Sequence, residues 1–203
     1  LGEKLFHETA LSKDNTIACA SCHHADKAFT DPRRYSIGVR EQIGTRNAMP
    51  LFNLAWRSSF FWDGRTPSLR AQALMPIQDH TEMDESLTNV VAKLSFRTNY
   101  LLLFAAAFGS SEITPEKIGL AIENYLLTLT SFDSKFDRVL RGAEKFSPEE
   151  QRGLELFMTE YDPRPHQPRL YRFQRTLKSD HQPISTREDE QEGLAHIFPE
   201  ILL

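Results

Sequence analysis

Apolar residues recur at helical spacing along most of the chain from about residue 67 onwards. Leu87, Val90, Val91 and Leu94 lie three and four positions apart, which is the spacing of one buried face of an α-helix. Similar patterns and helix-start signals predict further helices over residues 1–6, 69–74, 84–94, 96–108 and 114–129, and from Ser147 onwards.

Two kinds of end signal support these helices. Thr114 followed by Pro115 predicts a helix start, because threonine caps free N–H groups and proline at the first helical position has none to satisfy. Gly109 predicts a helix end after the apolar cluster of residues 101–108. Ser147 and Pro148 repeat the opening, and the segment 153–157 resembles residues 1–6, which suggests an internal duplication.

Residues 25–66 have no helical period and contain many turn-forming residues. A loop region of this length is unusual in a plain helical bundle, but loops of this kind can wrap a large cofactor while helices supply the frame. Strand signals are scarce throughout. We therefore predict an all-α fold.

Composition and charge exclude several classes of protein. The 203 residues are 40% hydrophobic and 26% charged with a formal net charge of −4, as in a soluble globular protein. No basic run suggests a nucleic-acid partner. No apolar stretch reaches the roughly 20 residues that span a bilayer. The chain opens in a helix-like segment without a signal peptide, so we interpret it as a mature or trimmed form.

The chain has two cysteines, and both lie in the motif Cys19-Ala20-Ser21-Cys22-His23. A thioredoxin-like redox pair is one interpretation, but it requires a βαβ context; half of a zinc site is another, but it requires a second ligand pair. Cys-x-x-Cys-His is typical of c-type haem, with thioethers from both cysteines and His23 on the iron. Because such haem is attached on the oxidising side of the bacterial inner membrane, we expect a periplasmic or otherwise extracytoplasmic location.

The order of several motifs resembles that of the bacterial dihaem cytochrome c peroxidases and their MauG-type relatives. The resemblance extends over residues 1–158 and rests on the haem motif and on Leu11-Ser12, Ala28-Phe29-Thr30-Asp31, Ser36-Ile37-Gly38, Arg46-Asn47-Ala48, Phe61-Trp62-Asp63-Gly64-Arg65, Gln72-Ala73-Leu74 and Glu82-Met83. It implies two cytochrome-c-like helical domains with one haem each. The N-terminal haem would react with peroxide, and the C-terminal haem would pass electrons to it.

The resemblance also implies roles for individual residues. His23 would be the proximal ligand of the peroxidatic haem. Glu82 would be the acid–base group on the opposite side, with Gln72 as its polar neighbour. A carboxylate above the iron can move the proton that cleavage of the O–O bond requires. Without the resemblance, Glu82 would be interpreted as a solvated acid in the acidic run of residues 79–85.

Three further residues receive roles outside the immediate reaction site. Trp62 would lie between the haems as an electron-transfer relay, with core packing as the alternative. Asn47 matches a ligand of a calcium ion held between the domains. Arg65 suits a haem propionate, because arginine binds carboxylates through two parallel hydrogen bonds, with a surface arginine as the alternative.

The sequence departs from the family pattern at two places. Val39 stands where many members carry a histidine that caps the resting iron, so we expect an open distal site, although His24 and His80 are other candidates for that ligand. After Phe157 no second Cys-x-x-Cys-His follows. A single-haem variant, a fragment and an erroneous C-terminal sequence all explain this. We predict a peroxidatic domain over residues 1–145 and a partial or aberrant second cytochrome-c-like domain over 146–203.

Three functions compete. The first is reduction of hydrogen peroxide to water with electrons from a small cytochrome c or a cupredoxin. The second is a MauG-like oxidase that uses peroxide to modify a partner protein. The third is a non-enzymatic electron carrier with Met49, Met75 or Met83 as the sixth iron ligand, which would close the iron to peroxide. A homodimer is one expected assembly.

Overall fold

The computed structural model describes residues 1–158, and seven α-helices lie in this part of the chain. Regular strands do not occur among these residues, which contain only isolated β-bridges. The all-α prediction is therefore confirmed. The helices are α1 (Gly2–Phe6), α2 (Leu69–Gln78), α3 (Leu87–Ser95), α4 (Thr98–Phe108), α5 (Pro115–Leu127), α6 (Lys135–Leu140) and α7 (Pro148–Met158).

The predicted caps of α4 and α5 are present. Thr114 accepts a hydrogen bond from the backbone N–H of Lys117 at 3.2 Å, and Pro115 opens α5. Gly109 ends α4 in the left-handed conformation, with φ of 70°, which glycine adopts without steric cost. The predicted start of α3 at residue 84 or 85 was wrong, because Ser86 is its N-cap.

The core is built around the crossing of α1 and α5. Leu5 and Phe6 of α1 are buried, as are Ile118 and Ile122 of α5. A Cβ atom added to Gly2 would lie 2.0 Å from the carbonyl oxygen of Ala121. Only glycine therefore allows the two helices to approach this closely.

The loop region between α1 and α2 is ordered by three small loops. Each is closed by one antiparallel bridge between residues six positions apart, and the bridges are His24 to Thr30, Ile37 to Ile43 and Phe60 to Thr66. Each loop contains residues with positive φ, namely Ala28, Phe29, Arg40, Glu41, Phe61 and Gly64. Left-handed residues reverse the chain without a helix or sheet, which explains why the sequence shows no period here.

The chain divides into two units, Leu1–Phe132 and a second that begins at Asp133. The described part of the second unit contains α6, which the sequence did not predict, and α7. In α6, Ser134 and Asp137 form a reciprocal capping box. The domain ranges 1–145 and 146–203 stay a prediction, and residues 159–203 lie outside the described part.

No single helix within residues 1–158 is both long and apolar enough to cross a membrane. The helices α3 and α4 reach that length and composition only as a pair, with a bend of 103° between them.

Candidate functional site

The first unit contains a cavity of about 440 Å³, a volume typical of small-molecule and cofactor sites. It lies among the loops that follow α1, the helices α2 and α5, and the segment after α2. All eight site residues predicted from the sequence line it: Cys19, Cys22, His23, Asn47, Trp62, Arg65, Gln72 and Glu82. The fold thus brings together residues that are far apart in the chain.

The cysteine motif forms one tight turn at the cavity wall. Cys19–Ser21 is a 3₁₀ turn, and the N–H groups of Cys22 and His23 both donate to the carbonyl oxygen of Cys19, at 3.2 and 3.0 Å. Ser21 closes the turn, since its hydroxyl accepts from the N–H of Ala18 at 3.0 Å. Both thiols and the imidazole therefore line the same cavity.

The His23 ring is oriented by the backbone. Its Nδ1 lies 2.7 Å from the carbonyl oxygen of Phe29, so Nδ1 carries the proton and donates it. The other ring nitrogen, Nε2, then carries the lone pair that a metal ligand needs. Burial lowers the pKa of His23, opposed by the carbonyls of Phe29 and Met49, and favours the neutral ring. Phe29 has a positive φ of 58°, so the loop that orients His23 depends on a left-handed residue.

The two thiols do not have the character of redox-active cysteines. Burial raises the pKa of Cys19 to about 12 and also raises the pKa of Cys22. Redox-reactive cysteines have lowered values instead. Residues 1–158 also contain no cluster of three His, Cys, Asp or Glu side chains that could hold a metal ion. These residues fit a c-type haem, whose thioethers form from two thiols beside an iron-binding histidine.

Glu82 supplies an ionisable group to the same cavity. It lies in the irregular segment between α2 and α3, and its side chain is accessible from the cavity. Burial raises the pKa of Glu82 to about 7; the Asp79 carboxylate adds to the rise and the Arg65 guanidinium opposes it. Glu82 also adds to the raised pKa of both thiols, so the carboxylate and the haem motif act on one another. A carboxyl group with this pKa can both accept and donate a proton near neutral pH.

The backbone at Glu82 is held by the loop of residues 37–43. A Cβ atom added to Gly38 would lie 2.4 Å from the carbonyl oxygen of Glu82, so only glycine fits there. Val39 donates its N–H to the same oxygen at 2.8 Å. The Val39 side chain is buried in the core and does not line the cavity, and neither His24 nor His80 lines it.

Trp62 and Asn47 are joined at the rim of the cavity. The indole Nε1 of Trp62 donates to the carbonyl oxygen of Asn47 at 2.9 Å. The Asn47 side chain in turn donates to the carbonyls of Asp31 and Arg33, at 3.0 and 2.7 Å. The side chain of Trp62 is 58% exposed, which argues against core packing as its role.

The guanidinium of Arg65 already interacts with other side chains of the protein. It donates to Asp63 at 3.0 Å and lies 3.3 Å above the ring of Phe61. Arg46 binds the same carboxylate at 2.7 Å, and the two arginines, Arg46 first, lower the pKa of Asp63 to about 2.

Arg57 also lines the cavity, and within residues 1–158 its side chain has no hydrogen bond or ion pair. Sequence reasoning missed Arg57, because an isolated arginine in a loop without a period carries no local signal.

The methionines differ in position. Met49 and Met83 line the cavity, whereas Met75 does not. Of the three sixth-ligand candidates for an electron carrier, Met75 therefore has no access to this site in the structure.

A helical unit with a Cys-x-x-Cys-His turn on a cofactor-sized cavity is a cytochrome-c-like domain. Comparison with known proteins makes this more specific. The family model described as di-haem cytochrome c peroxidase matches residues 1–145, and the chain belongs to this family.

Several curated relatives are similar over the same region. The methylamine utilization protein MauG of Methylophilus methylotrophus is 34% identical over 77% of this chain and 47% of its own length. The cytochrome c551 peroxidase of Pseudomonas aeruginosa is 35% identical over 78% of this chain and 46% of its own length. Among solved structures, a MauG-like protein associated with microbial copper homeostasis has a TM-score of 0.72 at 33% identity, covering 78% of this chain and 47% of that one. The chain thus spans about half the length of these relatives.

Proposed function

We propose that the protein reduces hydrogen peroxide to water with electrons from a small cytochrome c or a cupredoxin. One observation carries the proposal: a carboxyl group with a pKa of about 7 faces the same cavity as the Cys-x-x-Cys-His turn. Cys19 and Cys22 would hold haem c, with Nε2 of His23 on its iron. The bound haem supplies the redox-active iron that peroxide reduction requires.

The residues of the chain supply the proton transfer. The Glu82 carboxylate takes a proton from one peroxide oxygen and returns it to the other, so that the second oxygen leaves as water. The amide of Gln72 lines the same cavity and can orient the peroxide by hydrogen bonding. Over a full cycle one peroxide, two protons and two electrons give two water molecules, and the electrons come from the donor protein.

A MauG-like oxidase is the second candidate function. Two observations favour it: Val39, which cannot bind iron, is buried away from the cavity, and relatives named MauG match the chain. In this case the two oxidising equivalents are consumed by side chains of a partner protein instead of by an electron donor.

The test is a turnover assay on the haem-loaded protein with hydrogen peroxide and a reduced small cytochrome c or cupredoxin. A peroxidase oxidises two one-electron donors per peroxide, continuously. A MauG-like enzyme reacts with peroxide but turns over only with its own partner protein. If peroxide leaves the spectrum of the protein unchanged, the iron is closed and the electron-carrier hypothesis replaces both.

The haem count and the assembly are measured on the protein from its native host. The family description implies two haems, while the 203 residues contain a single Cys-x-x-Cys-His. We expect the intact denatured mass to report the number of covalent haems, and the native mass to report the expected homodimer. We also propose a periplasmic location and a calcium ion at Asn47; both rest on the chemistry of haem attachment and on the family resemblance.

We propose Arg57 as a partner of a haem propionate, because it is the arginine of the cavity wall whose side chain has no partner within residues 1–158. The substitution Arg57→Gln is expected to lower the reduction potential, since loss of a cation favours the more positive ferric state. A threefold shift of the ferric–ferrous equilibrium corresponds to about 28 mV for one electron, which spectroelectrochemical titration resolves. Arg34→Gln is the control, because Arg34 stacks on Tyr35 and does not line the cavity. Equal potentials of the two variants would remove Arg57 from this role.

A further inference from the structure

The segment that carries Glu82 is fixed by two distant parts of the chain. The carbonyl oxygen of Glu82 accepts from the N–H of Val39 at 2.8 Å, and that of Met83 accepts from the N–H of Lys13 at 2.9 Å. The Met83 side chain is buried beneath them. The carbonyl groups of Glu82 and Met83 are thereby held by residues outside the segment. Both lie next to the Glu82 side chain, which faces the cavity.

Asp84 forms ion pairs with cationic side chains from the same two parts of the chain. The ammonium group of Lys13 lies 3.0 Å from Oδ2 of Asp84, and the guanidinium of Arg40 binds the same oxygen. The side chain of Asp84 is 21% exposed, whereas both cations are more than half exposed. One carboxylate thus joins the loop after α1 and the loop of residues 37–43 to the segment of Glu82.

The backbone at this junction is strained. Asp84 has a φ of 47°, and Arg40 and Glu41 have values of 54° and 59°. Residues other than glycine adopt such conformations only when the surrounding structure determines them, and these conformations cluster at functional sites. The ion pair between Arg40 and Asp84 joins two of these three residues with positive φ.

We propose that Asp84 is a positioning residue for Glu82. Its ion pairs with Lys13 and Arg40 hold both loops against residues 82–84, and the two backbone hydrogen bonds then fix where the Glu82 side chain enters the cavity. The inference rests on the proposed function, in which Glu82 moves the proton of peroxide. Ion pairs between exposed groups add little to global stability, so a role in local geometry accounts for this arrangement better than a role in folding.

The carboxyl groups of Asp84 and Glu82 differ in pKa because they have different charged neighbours. Lys13 and Arg40 lower the pKa of Asp84, so this group stays ionised over the neutral range. Glu82 faces Asp79 and Arg65 instead and titrates near 7. A pH profile of turnover around neutrality therefore reports on Glu82, and a change in that profile after substitution of Asp84 reports on the position of Glu82.

The decisive variant is Asp84→Asn in the haem-loaded full chain. Asparagine keeps the size of the side chain and tolerates the left-handed conformation, so the substitution removes the negative charge without a change of shape. We expect kcat for peroxide to fall about tenfold, as small misplacements of a reacting group do. We also expect the neutral limb of the pH profile to move, while KM for the electron donor and the thermal midpoint stay unchanged. Glu112→Gln is the control, because Glu112 pairs with Lys117 on the surface and does not line the cavity.

Variants of Arg40 provide a second test that does not alter Asp84. Arg40→Gln is expected to reproduce the loss, Arg40→Lys to retain activity, and Arg40→Gln combined with Asp84→Asn to be no worse than Asp84→Asn alone. The positioning role would be overturned if Asp84→Asn kept the wild-type kcat and pH profile while Glu82→Gln was inactive. The proposed function would then still stand. Full activity of Glu82→Gln would instead refute the proposed function.

Discussion

Glu82→Gln is expected to reduce peroxide turnover by about 100- to 10,000-fold, the range that a general acid–base group contributes. Glutamine fills the same space but cannot accept the proton of one peroxide oxygen and return it to the other. Haem content and the resting spectrum are expected to stay as in the wild type, because Glu82 is not part of the Cys-x-x-Cys-His turn. The measurement is steady-state peroxide reduction with a saturating donor protein.

The pH dependence of the wild type tests the same residue. Because burial raises the pKa of Glu82 to about 7, half of the carboxyl groups are protonated at that pH and cannot take a proton from peroxide. We therefore expect kcat/KM for peroxide to rise with pH through about 7 and then to level off. Glu82→Gln is expected to abolish this limb. Glu112→Gln serves as control, because Glu112 is exposed and does not line the cavity. A limb that persists in Glu82→Gln would assign it to another group.

The double substitution of Cys19 and Cys22 by alanine is expected to abolish covalent haem. Thioethers need both sulfur atoms, and the chain has no other cysteine. The measurement is the haem that stays with the polypeptide after denaturation in acidic acetone, together with intact mass.

The control for this experiment is Ser21→Ala. It removes the hydrogen bond from the N–H of Ala18 but keeps both thiols, so haem should stay attached. Covalent haem in the double cysteine variant would show that these residues do not attach it.

Much of the fold could be predicted because its signals are local. Thr114, Pro115 and Gly109 mark helix ends through their own chemistry, so the neighbouring residues suffice to identify them. The start of α3 was predicted too early because Asp84 and Glu85 are suitable first-turn acids. In the structure the Asp84 carboxylate pairs instead with Lys13, which is distant in sequence, and the Glu85 carboxylate pairs with Lys93 of α3.

The site was predictable only in part for a related reason. The spacing of Cys19, Cys22 and His23 is sufficient to predict a haem attachment site. Glu82, in contrast, was identified through the family resemblance. Its raised pKa depends chiefly on burial, which the spacing of residues does not reveal. The support from Gly38 depends on two loops meeting, which requires the folded chain.

The close crossing of α1 and α5 also sets the order in which the domain can form. α1 ends at Phe6 and α5 begins at Pro115, so their contact closes a very long loop, and such contacts are costly in entropy and slow to form. Before α5 packs against α1, the side chains of Leu5 and Phe6 have no complete core in which to be buried. The haem motif lies between these helices in sequence. We therefore expect the two thiols to be accessible for haem attachment before α5 packs against α1, and the packing of α5 to enclose the haem afterwards.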